Sequence, residues 1–250
     1  MDTFLELDKV SYTYFSKKGE TQALKDITFS VRENEFFGIC GPSGSGKTTI
    51  LSLIAGILTP ESGSITLSGE PAIKSQNRIG YMLQKDHLFE WRTVYENVML
   101  GLELQKNKSE PAKNRVLDLL KKYGLYDFKD SHPSALSGGM RQRVALIRTL
   151  ALSPTILLLD EPFSALDYVT RLSVQSDVYN IIKKEKITTV LISHDISEAI
   201  SMSDRIAMLS PRPATVKGVF DINIDGKTPL ERRNNPAFSK AFEKIWKELE

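Results

Sequence analysis

The run Glu35-Phe36-Phe37-Gly38-Ile39-Cys40 leads directly into Gly41-Pro42-Ser43-Gly44-Ser45-Gly46-Lys47-Thr48, and this junction decides the fold. A short apolar stretch stopped by alternating glycines reads as a buried strand feeding a loop. Residues 47–58, KTTILSLIAGIL, then carry helical apolar spacing. Strand, loop and helix in this order satisfy G-x-x-x-x-G-K-[ST] in the context its mechanism needs. The glycines let successive backbone N–H groups face one anion, and the start of the helix adds its positive dipole end. Lys47 can reach the β- and γ-phosphates of a nucleotide, and the Thr48 hydroxyl can ligate Mg²⁺. Cys40, next to the loop, reads as a small buried residue.

A phosphate loop of this kind calls for a second strand ending in a carboxylate. Ile156-Leu157-Leu158-Leu159-Asp160 fits, with Asp160 binding the metal directly or through water. Glu161 follows at once, where a carboxylate can accept a proton from an attacking water, so it is the general-base candidate. Further apolar segments, ITTVLIS (187–193) and RIAMLS (205–210), alternate with helical patterns at 168–185 and 195–202. That alternation predicts a mostly parallel sheet with covering helices.

Upstream of the loop, residues 3–10 and 22–31 read as strands joined by the polar loop FSKKGE, and SITLSG (64–69) and NRIGYMLQ (77–84) as two more. Between about 90 and 153 the pattern turns helical, with Pro111 near a first turn. The tail predicts a terminal amphipathic helix over 236–250, with Phe238, Phe242 and Trp246 on one face and docked on the domain surface.

Composition sets the outer bounds. The chain has 250 residues, 41% hydrophobic and 26% charged, which is ordinary for a globular protein. A net charge of +2 is too small for a protein whose main task is neutralising nucleic-acid backbones. One cysteine and three scattered histidines, His87, His132 and His194, argue against a disulfide framework or a zinc site. The acidic start and the lack of a long apolar run predict a chain kept in the cytoplasm.

Leu136-Ser137-Gly138-Gly139-Met140-Arg141-Gln142, with Ser137 lying 23 residues before Asp160, is unexplained by a generic phosphate-loop enzyme or a simple kinase. With this segment the chain resembles the nucleotide-binding subunit of ATP-binding cassette (ABC) transporters, in the family's order and over nearly its whole length. Tyr14 matches the aromatic that stacks on adenine, with Tyr12 as the alternative. GPSGSGKT matches the Walker A loop, which with Thr49 holds the phosphates. Gln84 matches the Q-loop, LSGGM the signature, ILLLDE the Walker B strand, Ser164-Ala165-Leu166-Asp167 the D-loop and His194 the switch histidine. Met140 departs from the glutamine many cassettes carry there, and Gln142 is a candidate replacement for the missing amide.

The resemblance implies an α/β fold: a P-loop NTPase with a mostly parallel core sheet, an N-terminal antiparallel β subdomain and an inserted α-helical subdomain. It implies one domain over 1–250, with 1–89 and 154–227 forming the core and the β part, 90–153 the helical signature subdomain, and 228–250 a helical tail. ATP and Mg²⁺ are the implied cofactors. Thr48, Gln84 and Asp160 are the metal residues, and Lys47, Gln84, Glu161 and His194 the catalytic ones. Ser137 caps a helix and, with the N–H groups of Gly138 and Gly139, makes a second anion site. One ATP cannot use both ends within one chain if, as the family implies, the helical part faces outward. A head-to-tail dimer with two ATPs is therefore expected, with Asp167 touching the opposing phosphate loop.

The implied partners are a second copy, integral membrane permease subunits and an extracytoplasmic substrate-binding protein, with no nucleic acid. The implied location is peripheral, on the cytoplasmic face of the membrane. LSGGMRQR, the stretch from Leu83 to Thr93 and Leu209-Ser210-Pro211-Arg212-Pro213 resemble importers for nitrate, sulfonates, taurine and thiamine precursors. An exporter or lipoprotein-release ATPase, or a soluble ABC switch protein, would share the catalytic residues. Leu88, Phe89, Trp91 and Val94 either receive a permease helix or form the core of the helical part.

Overall fold

The computed structural model describes residues 3–17 and 19–248. In chain order the strands β1 (Thr3–Ser16), β2 (Gly19–Arg32) and β3 (Phe36–Cys40) lead to helix α1 (Lys47–Ile54). Strands β4 (Ser62–Leu67), β5 (Glu70–Pro71) and β6 (Ile79–Met82) come next, then helices α2 (Val94–Leu104), α3 (Glu110–Lys122) and α4 (Gly138–Leu150). Strand β7 (Ile156–Asp160), helix α5 (Tyr168–Glu185), strand β8 (Thr188–Ile192) and helix α6 (Ile196–Met202) follow. The chain closes with β9 (Arg205–Leu209), β10 (Val216–Asp221), α7 (Pro229–Asn234) and α8 (Ala237–Trp246).

Two sheets form. One is antiparallel in the order β2-β1-β4-β5; the other runs β10-β9-β3-β8-β7-β6. In the second, β9, β3, β8, β7 and β6 are parallel and only β10, at the edge, is antiparallel. Every residue of β3, β7 and β8 is buried, as both-face coverage requires. The period of two divides them: Leu157 and Leu159 join the core beneath α2 to α5, while Ile156 and Leu158 join the core shared with α1 and the antiparallel sheet. The central sheet is thus a middle layer, and α2, α3 and α4 are all inserted between the neighbouring strands β6 and β7.

Several expected boundaries move. The expected loop FSKKGE is largely taken up by the first two strands, because Phe15 pairs with Glu20 and Ser16 with Gly19; ladder hydrogen bonds need no apolar side chains, so the hairpin outruns the hydrophobic pattern. Helix α1 stops at Ile54 rather than 58: Gly56 takes φ +69°, and the N–H groups of Ile57 and Leu58 turn back to the Ser52 carbonyl. Strand β6 ends at Met82, leaving Gln84 outside it and exposed. The short strand β5 and the edge strand β10 carry no clear alternating signal. The tail helix is α8, which packs on α6 through Ile245, Phe238 and Phe242; Trp246 stacks on Phe242 but is 47% exposed. Residues 249 and 250, within the expected helix, lie outside the described residues.

Candidate functional site

All five parallel strands end at one side of the sheet, where an open α/β sheet binds its ligands. The loop after β3 is the glycine loop, with Gly44 at φ +76° and Gly46, the N-cap of α1, at φ +88°. A side chain at Gly46 would meet Leu24 at 2.8 Å, so the loop is fitted to its surroundings as well as curled. Lys47 Nζ donates to the carbonyls of Gly41 and Pro42, both at 2.9 Å. Burial pulls its pKa below the usual lysine range, opposed by Glu161, Cys40 and Asp160. Ser45 Oγ is buried and has no hydrogen-bond partner among the described residues. An orphan hydroxyl in a ring of N–H groups fits an anion. Burial pushes the Cys40 thiol up to about 12, so it is inert.

At the end of β7, Asp160 accepts from Thr48 Oγ1 at 3.2 Å and from the Tyr81 hydroxyl at 3.3 Å. Burial raises its pKa above the usual carboxylate range despite these two donors, and a divalent cation beside it would reverse that shift. The same burial pushes Tyr81 up to about 12. Thr48 and Asp160 supply hard oxygen donors of the kind Mg²⁺ takes alongside phosphate oxygens and water. Among the described residues no cluster of three or more His, Cys, Asp or Glu could hold a metal alone.

Glu161 sits at φ +46°, a left-handed conformation unusual for glutamate. Its N–H donates to Ile192 O at 3.0 Å, and its carbonyl accepts from Ser164 N and Oγ at 3.2 and 2.9 Å. This backbone aims the carboxylate at the ends of two other strands. Its Oε2 lies 3.0 Å from His194 Nδ1, after β8, and 3.5 Å from Gln84 Nε2, after β6. Ser43 to Thr48, Glu161, His194 and Arg212 line one cleft of about 480 Å³. Tyr14 is exposed and its hydroxyl shares a 3.0 Å hydrogen bond with Thr49 Oγ1 on α1, beside the phosphate loop. Tyr12, edge-on to it at 4.9 Å, packs into the core of the N-terminal sheet.

The signature lies apart from that cleft. Ser137 caps α4 by accepting from Met140 N at 3.3 Å. Gly138 lines a different cavity, of about 400 Å³, with Asp86, Arg141 and Leu166 among its walls. A side chain on Gly139 would meet Val174 of α5 at 2.8 Å, so the helix start packs closely there. Asp167 is exposed and caps α5 by accepting from Thr170 N at 3.0 Å. Met140 packs on the helical core, and Gln142 is 2% exposed, so its amide stays inside. Leu88 and Val94 belong to the core, whereas Trp91 is 74% exposed and stacks on Phe89. His87 and His132 are exposed, away from the cleft.

Three features escaped the sequence reading. Tyr81 bonds Asp160 from the neighbouring strand. Arg212 reaches Gly44. Asp86, two residues past Gln84, makes a two-point pair with Arg141 of α4 at 2.8 and 3.1 Å, while Arg148 donates to the Asp86 and His87 carbonyls at 2.7 and 2.8 Å. The segment after β6 is thereby tied to the signature helix.

Residues 24–164 match the family model described as ABC transporter. The chain belongs to the ABC transporter family. This ABC ATPase is 46% identical to an uncharacterised ABC transporter ATP-binding protein of Bacillus subtilis, YtlC, over 99% of this chain and 96% of the relative. It is 39% identical to the aliphatic sulfonates import ATP-binding protein SsuB of Bacillus cereus, over 94% and 90% of the two chains. Identity to the nitrate import ATP-binding protein NrtD of Synechocystis is 37%, over 96% and 93%. The ABC ATPase fold is also that of the dimeric cassette MJ0796 bound to ADP and Pi, with TM-score 0.74, 31% identity, and coverage of 88% of this chain and 99% of that one. Among the described residues no helix is long and apolar enough to cross a membrane.

Proposed function

We propose that this ABC ATPase powers an importer for a small solute of the nitrate, sulfonate, taurine or thiamine-precursor class. It would act as one domain at the cytoplasmic face of the membrane, on separate permease subunits served by an extracytoplasmic binding protein. The observation that carries the hydrolytic part is the Glu161 carboxylate, 3.0 Å from His194 and 3.5 Å from Gln84 in the cleft of Lys47 and Thr48. Glu161 takes the proton of the water that attacks the γ-phosphate in line, while His194 and Gln84 orient that water. Lys47 and the loop N–H groups stabilise charge on the phosphates, and Tyr14 stacks on adenine. Thr48, Asp160 and Gln84 would hold Mg²⁺, which when bound neutralises charge on the phosphate oxygens.

Ser137, Gly138 and Gly139 of a second copy complete the site. Support comes from their separation from the phosphate cleft within one chain and from the dimeric relative bound to ADP and Pi. The import reading is supported by the relatives named for sulfonate and nitrate import. The test is Glu161→Gln. Turnover should fall by about 10² to 10⁴-fold, ATP should still bind, and a dimer should accumulate in ATP. Near-normal turnover would remove Glu161 from the role of base.

A further inference from the structure

Four of the five parallel strands deliver residues already given a role: β3 the phosphate loop, β6 Gln84, β7 Asp160 and Glu161, β8 His194. The fifth, β9, delivers Arg212 into the same cleft. Its guanidinium donates twice to one acceptor, the carbonyl of Gly44 at the crown of the loop, from Nε at 3.1 Å and Nη2 at 2.7 Å. We propose that Arg212 is a positioning residue for nucleotide binding, holding the phosphate loop in its anion-accepting conformation through the Gly44 carbonyl. The inference rests on the reading of this cleft as the ATP site.

The argument starts from the peptide plane. In a trans peptide the C=O and the next N–H point in opposite directions. Drawing the Gly44 carbonyl outward to Arg212 therefore turns the Ser45 N–H inward. There it donates to Pro42 O at 3.2 Å, the long end of the hydrogen-bond range, a weak bond that a phosphate oxygen could share or replace. Gly44, at φ +76° and without a Cβ, is also where this peptide rotates most freely. Reversed, it would put a carbonyl oxygen in the anion's place and withdraw one N–H from the ring.

The anchor is rigid. The turn after β9 is closed by Ser210 N to Thr215 O at 3.0 Å and Thr215 N to Ser210 Oγ at 2.9 Å. Ala214, fully buried, is bonded on both sides of its peptide to β2: Ala214 N to Ala23 O at 3.0 Å, and Lys25 N to Ala214 O at 2.9 Å. Arg212 thus holds the crown of the loop from a separately braced turn. A forked donor suits the task, because two N–H groups aimed at one oxygen fix direction as well as distance.

The experiment titrates Mg-ADP and Mg-ATP into the full chain by calorimetry, and measures kcat and KM for ATP, in wild type, Arg212→Ala and Arg212→Lys. Loss of a charge-assisted bond that orders the loop should weaken both nucleotides by about tenfold in Arg212→Ala and raise KM alike, while kcat at saturating ATP changes much less. Arg212→Lys, which can reach the carbonyl but cannot fork, should recover part of the affinity. Arg212 is exposed, so the thermal midpoint should stay within about 2 °C of wild type. Wild-type affinity in Arg212→Ala would overturn the inference, as would a loss of affinity that Arg212→Lys does not reduce. Failure of the wild-type chain to bind either nucleotide would instead overturn the reading of the cleft itself.

Discussion

Replacing Glu198 by Gln should leave this protein's stability unchanged below about pH 4.5 and stabilise it increasingly as pH rises toward and above 7. Glu198 lies in α6, four residues after His194, and is 4% exposed. Gln175 Nε2 donates to its carboxyl at 3.1 Å, and Gln175 Oε1 in turn accepts from Arg233 of α7 at 3.2 Å. Burial, then the charge of Asp195, pushes its pKa from an ordinary 4.5 up to about 7, against Ser193, Arg171 and Arg233. Below about pH 4.5 the folded and unfolded chains both carry this proton, and its contribution to stability is complete. Between 4.5 and 7 only the folded chain keeps it, so stability falls as pH rises; above 7 the loss is finished. At 1.36 kcal/mol per pH unit, the loss is about 3 kcal/mol. Glu198→Gln keeps an acceptor for Gln175 and cannot ionise. Urea unfolding at pH 5, 6, 7 and 8 should show the variant gaining on wild type as pH rises, toward that full margin at pH 8. A margin that is constant with pH, or that grows toward acid, would refute the reasoning.

Two further outcomes follow from the geometry. A double-mutant cycle of Asp86→Asn and Arg141→Gln, read by urea unfolding, should give a coupling of about 1 to 3 kcal/mol, as a partly buried two-point ion pair warrants; additive effects would show that the pair does not join the Gln84 segment to the signature helix. Tyr14→Ala should weaken ATP binding by about tenfold through lost stacking. Tyr12→Ala should mainly lower stability, because Tyr12 packs in the sheet core, and the reverse pattern in a nucleotide titration would exchange their roles.

The parts of this protein that could be read from sequence are those whose chemistry is contiguous. The phosphate loop, the strand ending in Asp160 and the cap at Ser137 each combine a backbone conformation and a functional group within a few residues, so their spacing carries their meaning. What sequence left hidden depends on distant segments meeting. Arg212 has meaning only because β9 lies beside β3, and Tyr81 only because β6 lies beside β7. The Asp86–Arg141 pair spans 55 residues. Structural boundaries were missed for a similar reason. The end of the β1–β2 hairpin runs through polar residues on ladder pairing rather than on apolar packing, and β10 is specified by the edge it covers rather than by an alternating pattern.

The central claim, that each ATP site needs the phosphate loop of one copy and the signature of another, is tested most directly by mixing two inactive chains. Lys47→Ala removes the loop cation and Ser137→Arg blocks the signature, so each homodimer should be inactive. A mixed dimer rebuilds one intact site from the two undamaged halves. With random exchange half the dimers are mixed, so an equimolar mixture should recover about one quarter of wild-type ATPase activity, provided the sites fire independently. A mixture as inactive as its components, in which mixed dimers are demonstrably present, would contradict the shared site.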